Sequence, residues 1–201
     1  MSKIQISPEK GPVPILAAYP VILMGSLVDG KPDFATLAWT GVAASVPPTI
    51  SLALQHHRHS LKGVRQNMVF SVNVPSTDLV KETDYCGIVS GSATDKVADC
   101  HFEVFYGKLA AAPLVKQCPI NHACEVIQIL NLGSHELVVG RIVESWVSED
   151  CLKNSRLDLS KVRPFFFAGD YFALGESLGQ AFHIGAAVDE SKVKAIRQKK
   201  K

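Results

Sequence analysis

The sequence has no long hydrophobic run. Its most apolar stretch, from Val13 to Met24, is short and broken by Pro14 and Pro20, well under the ~20 apolar residues of a membrane-spanning helix. The N-terminus, MSKIQISPEKGP, lacks an apolar core followed by a small-residue cleavage site. No secretory leader is expected, and a cytoplasmic location is. The common chemistry-bearing signatures are missing as well. No GxGxxG follows a strand and no GxxxxGK[ST] occurs, so a bound nucleotide must sit outside the usual phosphate-loop folds. Neither GxSxG nor HExxH is present, which removes the serine-hydrolase elbow and the zinc-protease helix. Five cysteines, Cys86, Cys100, Cys118, Cys124 and Cys151, are an odd number at low density and read as reduced thiols rather than a disulfide framework. Cys118 and Cys124 are spaced too widely for a standard zinc pair.

What is present fits one ordinary globular domain. Of 201 residues, 47% are hydrophobic and 20% charged, enough apolar material to offset the entropy of ordering. The formal charge of +2 hides an asymmetry. Residues 192–201 (KVKAIRQKKK) carry six basic and no acidic side chains. The remainder holds 15 basic against 19 acidic residues, a net of −4. A folded nucleic-acid-binding surface is therefore not expected, because the positive charge sits in one terminal tail. The chain divides into an N-terminal extension (1–11), a folded body (12–185) and a basic, solvated and disordered tail (186–201).

Strand signals dominate the body. VILMGSLV (21–28) is an apolar run closed by the turn dipeptide Asp29-Gly30. FATLAWTGVAA (34–44) is a second apolar stretch, ending before Pro47-Pro48, which no central strand tolerates. TISLAL (49–54) and FSVNV (70–74) are further strands. CEVIQILNL (124–132) and HELVVGRIVESWV (135–147) flank Gly133-Ser134 and read as a long hairpin. Ser60 is placed to cap a helix SLKGVRQN, and Ser76 a helix STDLVKETDYCG, since a serine at the N-cap accepts from a free first-turn amide. Many strands, few helices and no βαβ alternation predict a mainly β, antiparallel, Greek-key-like barrel with peripheral helices.

Four segments carry candidate chemistry. In ALQHHRHSLKGV (53–64), Arg58 and Ser60 at a helix start suit a phosphate, through a guanidinium fork, a hydroxyl and first-turn amides. The alternative is a solvated loop with an ordinary serine cap. His56, His57 and His59 lack a partnering acid, so a metal is not expected. In DYCGIVSGSATDKV (84–97), glycines permit close backbone approach and Lys96 can meet a phosphate as a point charge. The alternative is a flexible loop with an exposed ion pair. In LNLGSHELVVG (130–140), His135 follows a turn, either filling a hairpin corner or donating to a ligand. Trp39, in FATLAWTG, reads in isolation as core.

Together these segments resemble the flavin reductase-like family of FMN-binding split barrels, in particular its flavoredoxin-type branch. The similarity runs in order through YPVILMGSLVDGKPDFATLAWTG, SVPPTISLAL, HRHSLKGVRQNMVFSVNVPS, DYCGIVSGSATDK, APLVKQCPINHACEV, GSHELVVGRIVE and RPFFFAGDYFALGESLGQAFHIG. It implies a split barrel that binds FMN, as a homodimer with the flavin between subunits. It places Thr36, Leu37, Ala38 and Trp39 along the isoalloxazine ring, and Leu54, Gln55, Arg58 and Ser60 along the ribityl chain to the phosphate. Asn73 falls near the flavin, and Ser90, Gly91, Asp95 and Lys96 close over it. His135 matches a position associated with NAD(P)H as co-substrate, the one catalytic candidate. The chain departs from the family at Asp33, where Asn is frequent, and at Asp95-Lys96-Val97, where DKF is.

The expected activity is electron transfer from NAD(P)H through FMN to a flavin, iron, oxygen or protein acceptor. Two alternatives stand beside it: a non-catalytic FMN electron carrier that docks with a redox protein, and a split barrel that binds a small molecule other than flavin. The aromatic run RPFFFAGDYFALG (163–175) suggests packing across subunits or, alternatively, closure of one barrel. The thiols are not expected to relay electrons, since no tight C-x-x-C pair is present and Cys124 opens an apolar strand.

Overall fold

The computed structural model describes Leu16 and residues 18–199; the N-terminal extension (1–11) and the last two lysines of the tail lie outside the described residues. Chain order runs through strands β1 (Tyr19–Pro20), β2 (Ile22–Val28), β3 (Lys31–Leu37), β4 (Thr40–Ser45) and β5 (Pro48–Gln55), then helix α1 (Ser60–Asn67) and β6 (Val69–Val74). Helices α2 (Val80–Ile88) and α3 (Lys96–Asp99) follow, then β7 (Val104–Phe105), β8 (Leu114–Val115) and the long hairpin β9 (Ile120–Asn131) and β10 (His135–Val147). The chain finishes through β11 (Leu152–Lys153), β12 (Arg156–Leu157), α4 (Leu159–Val162), β13 (Phe165–Phe167), β14 (Tyr171–Ala173) and α5 (Glu190–Lys199). The tail, expected to be disordered, is instead helical over 190–199.

Seven strands form one antiparallel sheet in the order β3-β2-β6-β9-β10-β5-β4, and it rolls into a split barrel. In β2, successive side chains face opposite sides, and both sides are covered. Ile22 and Met24 enter one apolar core with Leu52, Leu54, Phe70 and Val138. Leu23 enters another with Phe34, Cys86 and Phe102. Burial on both faces explains why the run reads as continuously apolar rather than alternating. Leu61 and Val64 of α1 complete the first core. Gly63 lets α1 lie on β2, because a Cβ there would overlap the Leu27 carbonyl.

The barrel seam lies inside the second apolar stretch. β3 pairs with β2 at one edge of the sheet, and β4 pairs with β5 at the other. Only Ala38 and Trp39 separate them, and Ala53 N donates to Trp39 O at 2.9 Å, continuing the β5 ladder across the gap. One segment of chain therefore forms both edges. The outer edge of β3 remains unpaired by strand and faces the 56–60 loop and the 87–96 loop. Of the aromatic run, Phe165 is buried, and β13 pairs with β1 and β14 of the same chain.

Candidate functional site

Along the unpaired edge of β3 run two adjoining cavities. The larger, of about 460 Å³, is lined by Thr36, Leu37, Ala38 and Trp39 from the seam, Gln55 at the end of β5, Arg58 after it, and His135 at the start of β10. The smaller, of about 90 Å³, shares Arg58 and Ile88 and is lined further by Ala35, His57, His59, Ser60, Ser90 and Lys96.

The mouth of the larger cavity is aromatic. Trp39 and His135 stack with ring centroids 4.7 Å apart and 28° between planes. Trp39 is half exposed rather than core. His135 Nδ1 and Ser134 Oγ are 2.9 Å apart, which leaves Nε2 as the second polar atom of the ring. Burial, with His56 and His57 nearby, lowers its pKa below the ordinary imidazole value, so the stacked ring is neutral at neutral pH. The opposite wall was not anticipated from sequence: Asp84, Gly87, Ile88, Phe167 and Tyr171. Tyr171 donates to Asp84 Oδ1 at 2.7 Å. Burial and the adjacent carboxylate push the phenol up to about 12, so this pair is a fixed donor and acceptor, not a proton shuttle.

The inner end is polar. Arg58 Nη1 donates to Gly87 O at 2.8 Å, pinning the loop after β5 to α2 with one nitrogen of a five-donor fork. Ser60 is not the cap: His59 takes that position, without a side-chain cap bond, and Ser60 is the first helical residue. Its hydroxyl is instead buried and unpartnered. A buried hydroxyl without a partner costs about 1–3 kcal/mol. A phosphate in the small cavity would accept from it, beside the guanidinium and the first turn of α1. The residues present therefore fit a phosphorylated cofactor.

Of the other candidates, Ser90 and Lys96 line the small cavity, and the rest lie outside both. Lys96 is buried and turned inward: its Nζ donates to Phe34 O at 2.6 Å and to Cys86 O at 3.3 Å, and sits 3.2 Å from Asp33 Oδ1. It caps the β3 edge rather than standing free for a ligand. Asp95 caps α3, accepting from Val97 N and Ala98 N. Gly91 lies over Asp33, where a Cβ would overlap the carboxylate. Gly91 and Asp95 line a third cavity, beyond His59. Leu54 is in the core. Asn73 is buried in a scaffold network, bonded to Leu23 O, Ser71 Oγ, Val115 N and Asn121, and lines none of these cavities. Of the histidines, His56 Nε2 meets Gly133 O at 2.6 Å and His59 Nδ1 faces Asp33 at 3.4 Å, so the three do not converge.

The five cysteines are free thiols. Cys86 and Cys100 come within 4.0 Å, a juxtaposition across 14 residues that no sequence spacing signals. Burial raises both thiol pKa values, and burial raises that of Cys124 to about 12. Among the described residues no helix is long and apolar enough to cross a membrane.

Comparison with known proteins gives a consistent result. The family model for the flavin reductase like domain matches residues 16–172. The fold superimposes on flavoredoxin from Methanosarcina acetivorans with a TM-score of 0.87 and 32% identity, covering 94% of this chain and 100% of that one. Flavoredoxin of Desulfovibrio vulgaris (Miyazaki F) gives a TM-score of 0.82 and 30% identity, over 90% of this chain and 100% of that one. An uncharacterized protein of Archaeoglobus fulgidus is 26% identical over 130 residues, 65% of this chain and 73% of its own length.

Proposed function

Because the chain belongs to the flavin reductase-like family, we propose that it is an oxidoreductase that binds FMN along the β3 edge and draws electrons from NAD(P)H. The observation that carries this reading is the buried, unpartnered Ser60 hydroxyl beside Arg58. It closes a cleft whose other end is the Trp39–His135 stack. The phosphate belongs at Ser60, and the ring at the seam, against Thr36 to Trp39. FMN, when bound, supplies the transfer of electrons between nicotinamide and acceptor.

The chain's own residues then have defined tasks. Arg58 and Ser60 fix the phosphate. The backbone around Ala38, where no strand pairs, is available to the ring. Trp39 and the neutral His135 form a flat, half-exposed platform at the mouth, where a nicotinamide would lie. Asp84 holds the Tyr171 hydroxyl as a wall group. Among the described residues no paired carboxylates or nucleophile–base pair line the cleft, which suits chemistry carried by a cofactor.

Purified protein reconstituted with FMN should show a flavin absorption band, and under anaerobic conditions NADH or NADPH should bleach it. A flavin band that neither nucleotide bleaches supports a second reading, an electron carrier, which the two flavoredoxin likenesses favour. No flavin band at all overturns both. The proposal includes a homodimer. Val42 on β4, Val46 in the turn after it and Ile88 at the cleft rim are 84%, 90% and 74% exposed, apolar surface that a second copy would cover. Sedimentation of the FMN-loaded protein as a 22 kDa species would remove that part of the proposal.

A further inference from the structure

Two of the five thiols are placed to react with each other. Cys86 sits on the inner face of α2, fully buried against Leu23, Phe34 and Phe102. Cys100 directly follows α3 and is half-buried. Their Sγ atoms are 4.0 Å apart. Cys118, Cys124 and Cys151 are buried, and no other pair of thiols meets among the described residues. A disulfide holds its sulfurs about 2.05 Å apart, so this pair must close by about 2 Å. The short α3, four residues long, is the element whose shift would supply that movement.

The two thiols differ in access. Cys100 is reached from solvent and Cys86 is not, so a dissolved oxidant meets Cys100 first. Burial raises both thiol pKa values, which keeps them protonated and slow to react at rest. Such a pair does not cycle in every turnover; it responds when an oxidant is in excess.

Both cysteines also lie one hydrogen bond from the cleft. The residue after Cys86 is Gly87, whose carbonyl accepts from Arg58 Nη1 at 2.8 Å. The Cys86 carbonyl accepts from Lys96 Nζ at 3.3 Å, and Cys100 N donates to Lys96 O at 3.1 Å. Arg58 and Lys96 both line the small cavity. Drawing Cys100 onto α2 therefore displaces the two cations nearest the Ser60 hydroxyl.

We propose that Cys86 and Cys100 form an oxidation site that closes to a disulfide under hydrogen peroxide, and that closure weakens flavin binding in the adjoining cleft. In the first step Cys100 Sγ attacks the peroxide; an S–O bond forms, the O–O bond breaks and one water leaves. In the second, Cys86 Sγ attacks the resulting sulfenic sulfur; the S–S bond forms, the S–O bond breaks and a second water leaves. The two thiols lose two electrons and two protons, and the peroxide takes up both. The oxidation site stands on the thiol geometry alone, while its effect on the cleft rests on the flavin reading.

The test treats the full-length protein with hydrogen peroxide and counts thiols by mass after alkylation. Of the five free thiols, Cys86 and Cys100 should disappear into one cross-linked peptide and return with dithiothreitol. An unchanged thiol count, a bridge between other cysteines, or sulfinic acid at Cys100 without a bridge overturns the site. FMN titration should find the oxidised protein about tenfold weaker than the reduced one; equal affinities overturn the coupling. Cys100→Ser and Cys100→Ala should bind FMN as the reduced wild type does, which reports that they fold, and their FMN affinity should no longer respond to peroxide. A response retained in both variants overturns the coupling as well. If the reduced protein binds no flavin, the flavin reading and the coupling fall together, and the thiol count still decides the oxidation site.

Discussion

Two buried polar clusters flank the same sheet and are built on opposite principles. Around Asn73 every group named has a partner. Its amide donates to Leu23 O and Ser71 Oγ, both at 3.0 Å, and its carbonyl accepts from Val115 N at 2.9 Å and Asn121 Nδ2 at 2.8 Å. Around Ser60 the accounts stay open: Ser60 Oγ is buried without a hydrogen bond, while Asp33 Oδ2 and His59 Nδ1 face each other at 3.4 Å. Buried polar groups are nearly always bonded, so the first cluster is scaffold and the second is incomplete without a ligand. Both sets of residues are polar and buried; only the satisfaction of their bonds separates structure from site.

That contrast can be broken experimentally. Asn73→Ala leaves Leu23 O and Val115 N without their partners inside the barrel wall. At about 1–3 kcal/mol per stranded group, stability should fall by ~3 kcal/mol or more in urea unfolding; a loss below 1 kcal/mol would show that the network is not scaffold. The opposite signature is expected at the other cluster. The double variant Arg58→Ala, Ser60→Ala should lose about ten- to a hundredfold in FMN affinity, or ~1.5–3 kcal/mol. Loss of the unpartnered Ser60 hydroxyl should cost the flavin-free protein little, and loss of the Arg58 bond to Gly87 O about 0.5–1.5 kcal/mol. Unchanged FMN titration would end the assignment of the phosphate position.

Gly91→Ala probes the boundary between the two. The added methyl meets the Asp33 carboxylate, so the 90–95 loop must lift, at a cost of about 1–2 kcal/mol. Calorimetry should record a lower melting temperature, and wild-type melting would show that the loop yields freely. The smallest effect concerns His135. Its pKa lies below the ordinary imidazole value of 6.5, from burial first and then His56 and His57. As pH falls, the unfolded chain takes up this proton before the folded one, so stability drops slightly across the window just below 6.5. In a Trp146→Phe background, Trp39 fluorescence should change with a midpoint below 6.5, and His135→Gln should remove the transition. A midpoint above 6.5 would mean that the ring is charged in the stack.

Much of the barrel is legible in the sequence because strand runs end at Gly, Pro or Asp-Gly. Val28 closes at Asp29-Gly30, and Val74 at Pro75. The seam is not legible. Nothing in FATLAWTGVAA marks Ala38–Trp39 as a break, because both halves are apolar and the split is imposed by two different partner strands. At the site, Arg58, Ser60, Trp39 and His135 can be singled out from residue type and position. Lys96 cannot be oriented that way, since its inward turn depends on Asp33, 63 positions earlier. Tyr171 and Asp84 join the cleft only through the closing segment β13–β14, and their pairing spans 87 residues. The helix begins at Ser60 itself, with His59 at the cap position, and that one-residue difference makes Ser60 an open donor rather than a satisfied cap.

The seam also sets how the molecule meets its neighbours. A sheet edge offers unpaired amides and carbonyls to any other strand. The β3 edge is guarded, since loops lie along it and the Lys96 ammonium occupies the Phe34 carbonyl. The β4 edge carries Val42 almost fully exposed and has no such cover among the described residues. Pro47 and Pro48 at its exit, which bring no amide hydrogens, blunt only its end. Misassembly and aggregation would therefore start at β4, and the two faces of one short segment, Thr36 to Ser45, divide recognition of a small molecule from the risk of sticking to another chain.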